Sequence, residues 1–204
     1  MAVRSCYYWL TECTKTHDEQ DVGNPFKSFP ERRFIQPMLW LLDHYPRPKI
    51  KKSRTMFQTW LIAGWAAHFG FEHPAVGVIF QSQKEEKAIH CVDCVKTLWE
   101  NSLPSLQARW PLAKEMRLQP NIRLEMANKS RFLAIPGDPD QIRFEHPTIW
   151  IADEAAFMPR WSECYANALA AKCLKIVCLS SAYPGDFMNL FRESVPVDWG
   201  SIEP

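Results

Sequence analysis

The sequence lacks an excess of charge of either sign. Its 204 residues include 24 Lys and Arg against 23 Asp and Glu, which leaves a formal net charge of +1 at pH 7. This balance excludes proteins that bind nucleic acid through a globally basic field, because such a field needs a large surplus of cations. Any contact with nucleic acid must therefore come from a local basic patch.

A membrane-length apolar run is also missing from the sequence. The amino terminus lacks the basic-then-apolar layout of a signal peptide. We therefore expect an intracellular protein that makes no membrane contact.

Paired cysteine motifs are scarce. Seven Cys are scattered along the chain, and only Cys91 and Cys94 have the CxxC spacing, preceded by His90. A structural zinc site needs a second pair at similar spacing, which the sequence does not contain. We expect reduced thiols rather than a metal centre.

The composition is that of an ordinary globular protein, with 47% hydrophobic and 23% charged residues. Because there is no internal repeat or low-complexity run, we expect residues 1–204 to form a single domain. The nine Trp and twelve Phe indicate either a bulky core or exposed surfaces for partners.

Residues 1–30 show no regular pattern, and the prolines of the Pro25–Pro30 segment favour a fixed extended conformation. Such a segment either wraps a core or borders a ligand. From residue 34 onward, apolar runs alternate with helical periodicity, although residues 104–120 give no clear pattern.

The alternating elements predict the fold class. Helices are predicted at 34–44, 57–69, from 85 onward and 161–173, and strands at 49–51, 76–80, 122–126, 131–135, after Pro147 and at 175–179. The Ser82-Gln83-Lys84-Glu85 stretch predicts a capping box that opens the long helix. This order implies a three-layer α/β fold with a mostly parallel sheet and helices on both faces.

Two adjacent carboxylates, Asp153 and Glu154, close the apolar strand that follows Pro147. Open α/β sheets bind ligands at the carboxyl ends of their strands. In nucleotide-hydrolysing folds the first acid of such a pair holds Mg²⁺ and the second deprotonates the attacking water. The alternative is structural, since an Asp-Glu pair is also a common way to end a strand.

A second candidate site is the strand-to-helix turn at residues 51–60. Amide N–H groups and a positive helix end can face an anion there, Lys52 and Arg54 supply cations, and the Thr59 hydroxyl can ligate Mg²⁺. As a phosphate loop the turn is irregular, because it has no glycine and Gln58 stands where the lysine is usual. The alternative is a basic, solvated turn before a core helix.

These segments together resemble the ATPase half of the large terminase subunit, the DNA-packaging motor of tailed bacteriophages. Lys52-Ser53-Arg54 and Thr59 are similar to a deviant Walker A motif, with Phe57 in place of its glycine. Ile149 to Glu154 resembles Walker B, and Leu179 to Phe187 resembles the coupling motif. The resemblance covers nearly all 204 residues and implies a P-loop NTPase fold of the ASCE, RecA-like type.

The resemblance implies ATP and Mg²⁺ as ligands and assigns a role to each matching residue. Glu154 and Lys52 are implied in catalysis, with Arg143 acting on the nucleotide of a neighbouring subunit. Those implied to bind nucleotide are Lys52, Ser53, Arg54, Thr59, Phe26 and Gln36, the last two on the adenine side. Asp153 and Thr59 are implied to hold Mg²⁺, and Ser180, Ser181 and Ala182 to couple hydrolysis to motion.

The same resemblance implies ATP hydrolysis that drives double-stranded phage DNA into the procapsid in the host cytoplasm. The partners it implies are that DNA, the portal protein, the small terminase subunit and further copies of the chain in a ring. We expect no nuclease activity in residues 1–204, because no further set of spaced Asp residues on strands could hold two metals. The nuclease domain is then separate or missing.

Two alternatives remain open from the residues themselves. One is another helicase-like ATPase of the same broad class, although 204 residues leave no room for a second motor lobe. The other is a scaffold module that is non-hydrolysing or depends on assembly, and the degenerate phosphate loop with Phe57 supports it.

Overall fold

The computed structural model describes residues 5–18, 20–53, 57–116 and 123–197. The amino-terminal part is more regular than the sequence predicted. Its elements are α1 (Cys6–Tyr8), a π-helix (Trp9–Cys13), β1 (Lys15–His17) and β2 (Phe26–Ser28). The prediction of an irregular segment over residues 1–30 is wrong for these elements, because burial of Trp9 and Leu10 in the core stabilises a helix that local periodicity does not show.

A seven-stranded sheet forms the centre of the molecule. Its strands in chain order are β3 (Lys49–Lys51), β4 (Gly77–Ser82), β5 (Leu112–Met116), β6 (Arg123–Met126), β7 (Arg131–Ile135), β8 (Ile149–Asp153) and β9 (Lys175–Ser180). The helices that follow or cover them are α2 (Ile35–His44), α3 (Gln58–Glu72), α4 (Glu85–Glu100), α5 (Pro104–Arg109), α6 (Gln141–Glu145), α7 (Trp161–Ala170) and α8 (Asp186–Glu193). A short 3₁₀ helix covers Ala155–Phe157.

The spatial order of the strands is β3-β9-β8-β4-β7-β6-β5. The first five strands are parallel, whereas β6 pairs antiparallel with both β7 and β5. The ribbon of β1 and β2 is separate from this sheet. The predicted α/β fold with a mostly parallel sheet is confirmed, and β5 is the strand that the sequence pattern did not show.

Alternate residues of the central strands enter two different cores. On β8, Ile149 and Ile151 face the core that contains α2, α3, α4 and α5, whereas Trp150 and Ala152 face the core that contains α6, α7 and α8. This alternation is the two-residue period of a strand, and it places helices on both faces of the sheet. All five residues of β8 are buried, which explains why the strand is almost continuously apolar up to Asp153.

The predicted capping box at the start of α4 does not form. Ser82 belongs to β4, and the residue that precedes the first turn of α4 is Lys84, which makes no side-chain capping hydrogen bond. The sequence signal failed because Ser82 pairs with Asp153 in the sheet, so its hydroxyl is not placed at the helix terminus. No helix among the described residues is long and apolar enough to cross a membrane.

A buried lysine ties α2 to the sheet. The Nζ atom of Lys175, on β9, donates hydrogen bonds to the backbone carbonyls of Leu42 at 2.7 Å, Asp43 at 2.5 Å and Tyr45 at 3.2 Å. These carbonyls lie at the carboxyl end of α2, where the helix dipole favours a cation. Burial lowers the pKa of Lys175, and the nearby Asp43 carboxylate partly opposes that shift.

We expect Lys175→Met to destabilise the fold by roughly 1–3 kcal/mol, because it leaves buried carbonyls without a donor. Urea unfolding followed by circular dichroism measures this free energy. Lys114→Met, at an exposed position on β5, is the matched control and should change stability little. An equal effect of the two substitutions would show that the three carbonyl bonds contribute nothing specific.

Candidate functional site

The candidate site lies at the edge of the sheet where the parallel strands β3, β9 and β8 end. Lys52 follows β3 directly, Ser180 ends β9 and Asp153 ends β8. The first turn of α3 carries Thr59 to the same edge. Because carboxyl ends of parallel strands share one edge, two segments about 100 residues apart in sequence meet there.

Asp153 is the centre of the contacts. Its Oδ2 atom accepts a hydrogen bond from the Thr59 hydroxyl at 3.1 Å, and its Oδ1 atom lies 3.8 Å from the Nζ atom of Lys52. Oδ1 also accepts the backbone N–H of Glu154 at 2.9 Å. The side chains of Asp153 and Lys52 are only 9% and 13% exposed, so the pair is shielded from bulk water.

Glu154 follows in a left-handed backbone conformation, with φ 56° and ψ 39°. Its carbonyl accepts the N–H of Phe157, which closes the 3₁₀ turn, and its side chain is half-buried. A non-glycine residue in this region is strained and is held there by surrounding contacts. The turn separates the Glu154 carboxylate from the direction of β8, so the two acids of the pair need not face the same partner.

Ser180 connects the two halves of the site. Its backbone carbonyl accepts the N–H of Lys52 at 2.9 Å, and its hydroxyl accepts the N–H of Ala156 at 3.1 Å. Ser180 is fully buried, whereas Ser181 is half-buried and Ala182 is exposed. Of the three residues predicted to couple, only Ser180 therefore contacts both the Lys52 segment and the turn after Glu154.

The phosphate-side turn takes an unusual form. Phe57, which stands in place of a glycine, adopts the left-handed conformation with φ 58° just before α3. Its ring packs against Phe29 at a centroid distance of 5.1 Å and against Trp60 at 6.1 Å. The backbone geometry that glycine permits is thus present without glycine, and aromatic packing offsets its steric cost.

Gln58, at the usual lysine position, is buried and carries no charge. Within the described part of the chain its Oε1 atom accepts no hydrogen bond. Ser53 is exposed next to Lys52, whereas Arg54 lies outside the described residues. Lys52 is therefore the cation that the described structure places beside Asp153.

The predicted adenine-side residues do not border the cavity beside Lys52. Phe26 lies on β2, 43% exposed and packed on His17, and Gln36 is exposed in the first turn of α2. A cavity of about 1060 Å³ runs instead from Lys52 and Gln58 along β3, between α2 and α8. Residues that line its apolar walls include Phe34, Met38, Leu41, Tyr45, Leu190 and Phe191.

Part of the Pro25–Pro30 segment does approach the site, but through a residue that the sequence did not single out. Phe29 is buried and contacts Phe57, which begins α3. Its signal was a single aromatic residue between prolines, which does not distinguish a wrapping segment from one that supports a loop.

Arg143 lies on α6, between β7 and β8, and its side chain is outside the described part of the structure. The neighbouring Ile142 is fully buried and anchors α6 in the core with α7 and α8. The helix is therefore fixed to the same face of the sheet as Trp150.

Two groups beside Asp153 were missed as site residues. Cys91, from the CxxC stretch, has a thiol pKa raised first by burial and then by the Asp153 carboxylate, while Lys52 lowers it. Ser82 is in register with Asp153, and its buried hydroxyl has no hydrogen-bond partner among the described residues. All seven cysteines are free thiols, and the described ranges contain no group of three or more potential metal-ligating side chains.

The fold matches solved large-terminase structures from phages. The ATPase domain of the Thermus phage P74-26 large terminase aligns with a TM-score of 0.57 at 14% identity, over 79% of this chain and 68% of that one. A mutant of that domain gives 0.58 at 15% identity, over 80% and 70%. The large terminase of a second, thermophilic bacteriophage, in complex with ADP, gives 0.56 at 12% identity, over 74% and 39%.

At these low identities the likeness establishes the fold, which is that of large-terminase ATPase domains, of the P-loop type. No family model and no curated protein matches the sequence. The functional argument must therefore come from the residues at the carboxyl edge of the sheet.

The left-handed conformation of Phe57 gives a stability prediction. Phe57→Gly and Phe57→Ala both lose the ring contacts, but only glycine adopts φ 58° without steric cost. We expect the glycine variant to be more stable than the alanine variant by about 1 kcal/mol. Urea unfolding of the two variants measures the difference, and equal stabilities would show that the residue is not left-handed in solution.

Proposed function

We propose that this chain is the ATPase domain of a phage large terminase and hydrolyses ATP to drive double-stranded DNA into a procapsid. The observation that carries the proposal is the meeting of Lys52, Thr59 and Asp153 at one edge of the sheet, with Glu154 adjacent. The fold supports it, and a structural neighbour holds ADP. Each role below is part of this proposal.

The residues at this edge fit Mg²⁺. A threonine hydroxyl and a carboxylate lie 3.1 Å apart, and Mg²⁺ is commonly held by one or two such oxygens together with substrate phosphates and water. Thr59 and Asp153 would hold the ion. When bound, Mg²⁺ neutralises charge on the β and γ phosphates.

Charge neutralisation by the protein would come from the phosphate-side turn. Lys52 lies 3.8 Å from Asp153 and is placed to contact the β and γ oxygens of ATP, with Ser53 beside it. Arg54, which is outside the described residues, would contribute a second cation. This arrangement replaces the usual lysine, because Gln58 at that position is a neutral amide.

Glu154 would act as the general base. Its half-buried carboxylate would orient a water in line with the γ-phosphate and accept its proton as the oxygen attacks phosphorus. Arg143 of the neighbouring subunit would stabilise the transition-state charge, so hydrolysis would depend on assembly into a ring. Phe26 and Gln36 stay assigned to the adenine side only by the family resemblance.

Ser180 would couple the nucleotide state to motion. It already bonds Lys52 through its carbonyl and Ala156 through its hydroxyl. A shift of the Lys52 segment on loss of the γ-phosphate would move Ser180 and then Ser181 and Ala182. The exposed Tyr183, whose ring packs on Phe157 at 4.7 Å, would carry that shift to the surface.

The proposed partners are double-stranded phage DNA, the portal protein and the small terminase subunit, in the host cytoplasm. A separate nuclease domain would cut the DNA. Assays of turnover should therefore contain DNA and these partners, since an isolated chain would lack the neighbouring Arg143.

The direct test of catalysis is Glu154→Gln. We expect kcat for ATP to fall by roughly 10²- to 10⁴-fold, because a general base is lost, while ATP binding is retained. Phosphate release in the assembled complex and calorimetric titration of ATP measure the two quantities. Glu86→Gln, at an exposed position on α4, is the control.

Full activity in the Glu154→Gln variant would reject the assignment of the base. Absence of turnover in the wild-type complex, with ATP still bound, would favour the alternative of a non-hydrolysing scaffold. That alternative is supported by Phe57 and Gln58, which depart from the usual phosphate loop.

A second substitution tests the phosphate contact. Lys52→Met should weaken ATP binding by roughly 10- to 100-fold, the loss expected for one charge-assisted hydrogen bond. The adjacent Lys51→Met is a matched control, because Lys51 is exposed and its ammonium lies over the Phe191 ring. Equal affinities of the two variants would show that Lys52 does not contact the phosphates.

A further inference from the structure

We propose that Gln81 is a positioning residue for the arginine segment, defined as residues 136–145, and thereby for Arg143. This inference rests on the proposed function, in which Arg143 acts on the nucleotide of a neighbouring subunit. It names the side chain that holds the arginine segment in place. Gln81 does not itself touch the substrate.

Gln81 is fully buried near the end of β4, and its amide is used at both ends. The Nε2 atom donates to the carbonyl of Pro136 at 2.7 Å and to that of Asp138 at 2.9 Å. The Oε1 atom accepts the indole N–H of Trp150 at 2.9 Å. A flipped amide would oppose oxygen to two carbonyls and N–H to the indole N–H, so only one orientation is allowed.

A second buried amide holds the same segment from a different element. Asn167, on α7, donates from Nδ2 to the carbonyl of Pro139 at 2.8 Å. Gly137 lies so close to β4 that an added Cβ would be 3.1 Å from the carbonyl of Ser82. The arginine segment is thus bonded at the carbonyls of three of its first four residues before α6 begins.

These bonds link the arginine segment to the strands that carry the catalytic acids. Gln81 is in register with Ala152, and Trp150 precedes Asp153 on the same strand. The distance between a subunit's acidic edge and its arginine segment is therefore set by buried hydrogen bonds of the sheet. In a ring, the approach of Arg143 to the next subunit would then depend on subunit packing rather than on loop flexibility.

A loop that only closes a connection at the surface can satisfy its carbonyls with water. Here three carbonyls are satisfied by side chains of two core elements, which fixes the segment more tightly than closure requires. Tight placement matters for a transition-state cation, because a misplacement of about 1 Å can reduce the rate roughly 100-fold.

The first experiment measures turnover of Gln81→Met in the DNA-bound complex with its partners. Methionine keeps the length of the side chain but provides no strong donor or acceptor. We expect kcat to fall by up to about 100-fold, with the Kd for ATP of the isolated chain unchanged. Gln107→Met is the matched control, since Gln107 also donates to two carbonyls, of Glu100 and Ser102, but lies away from the site.

The decisive experiment mixes two variants within one ring. Glu154→Gln subunits cannot hydrolyse ATP but carry an intact arginine segment, whereas Gln81→Met subunits keep their own acids. If Gln81 acts through the arginine segment, Glu154→Gln neighbours supply the missing arginine to Gln81→Met subunits. Turnover of the mixture should then rise well above the sum of the two separate activities.

Asn167→Ala provides an independent variant in case Gln81→Met does not fold. It releases the same segment from α7, and its mixture with Glu154→Gln should show the same recovery. The mixture of Arg143→Ala with Glu154→Gln is the reference, because it tests the arginine directly.

Recovery in the reference mixture without recovery for Gln81→Met and Asn167→Ala would overturn the inference alone, because the defect would then lie within the subunit's own site. An unchanged kcat for both variants would also overturn it. No recovery in the reference mixture would reject the action of Arg143 between subunits, and with it both the inference and that part of the proposed function.

Discussion

The contact of the Asp153 carboxylate with the Thr59 hydroxyl and the Lys52 ammonium is the constraint on which the site depends. Strand β9 lies between β3 and β8, and neighbouring strands are about 4.8 Å apart, so the ends of β3 and β8 are separated by roughly 10 Å. Lys52 reaches across this gap above Ser180. The same gap is where the proposed mechanism places the phosphates, between a cationic turn and an acidic strand end.

Left-handed backbone conformations occur on both sides of that gap, at Phe57 and at Glu154. Such residues also occur elsewhere, for example at Ala75 and Lys129, so the conformation alone does not mark a site. At Phe57 the strain is held by aromatic packing, and at Glu154 by the 3₁₀ turn. A phosphate loop without glycine is therefore compatible with the backbone geometry, although it makes the loop depend on neighbouring side chains.

Buried polar side chains connect the catalytic edge to the rest of the domain. Ser180 bonds the Lys52 segment and the turn after Glu154, and Gln81 bonds β8 and the arginine segment. Both lie at the carboxyl ends of inner strands, one on each side of β8. Hydrogen bonds in such a shielded place are costly to leave unmade, so a displacement of one segment is transmitted to its bonded neighbour.

The sequence by itself determined the element types and the motif order. The apolar run that ends at Asp153, the core helix after the basic turn and the alternation of strands and helices are local patterns, and the observed bounds follow them closely. Only the tertiary structure decided the placement of β9 between β3 and β8, the added strand β5, the use of Ser82 as a strand residue rather than a helix cap, and the bonds of Gln81. The reason is physical: periodicity reports which face of an element is apolar, whereas strand order and buried hydrogen bonds depend on contacts between residues far apart in the chain.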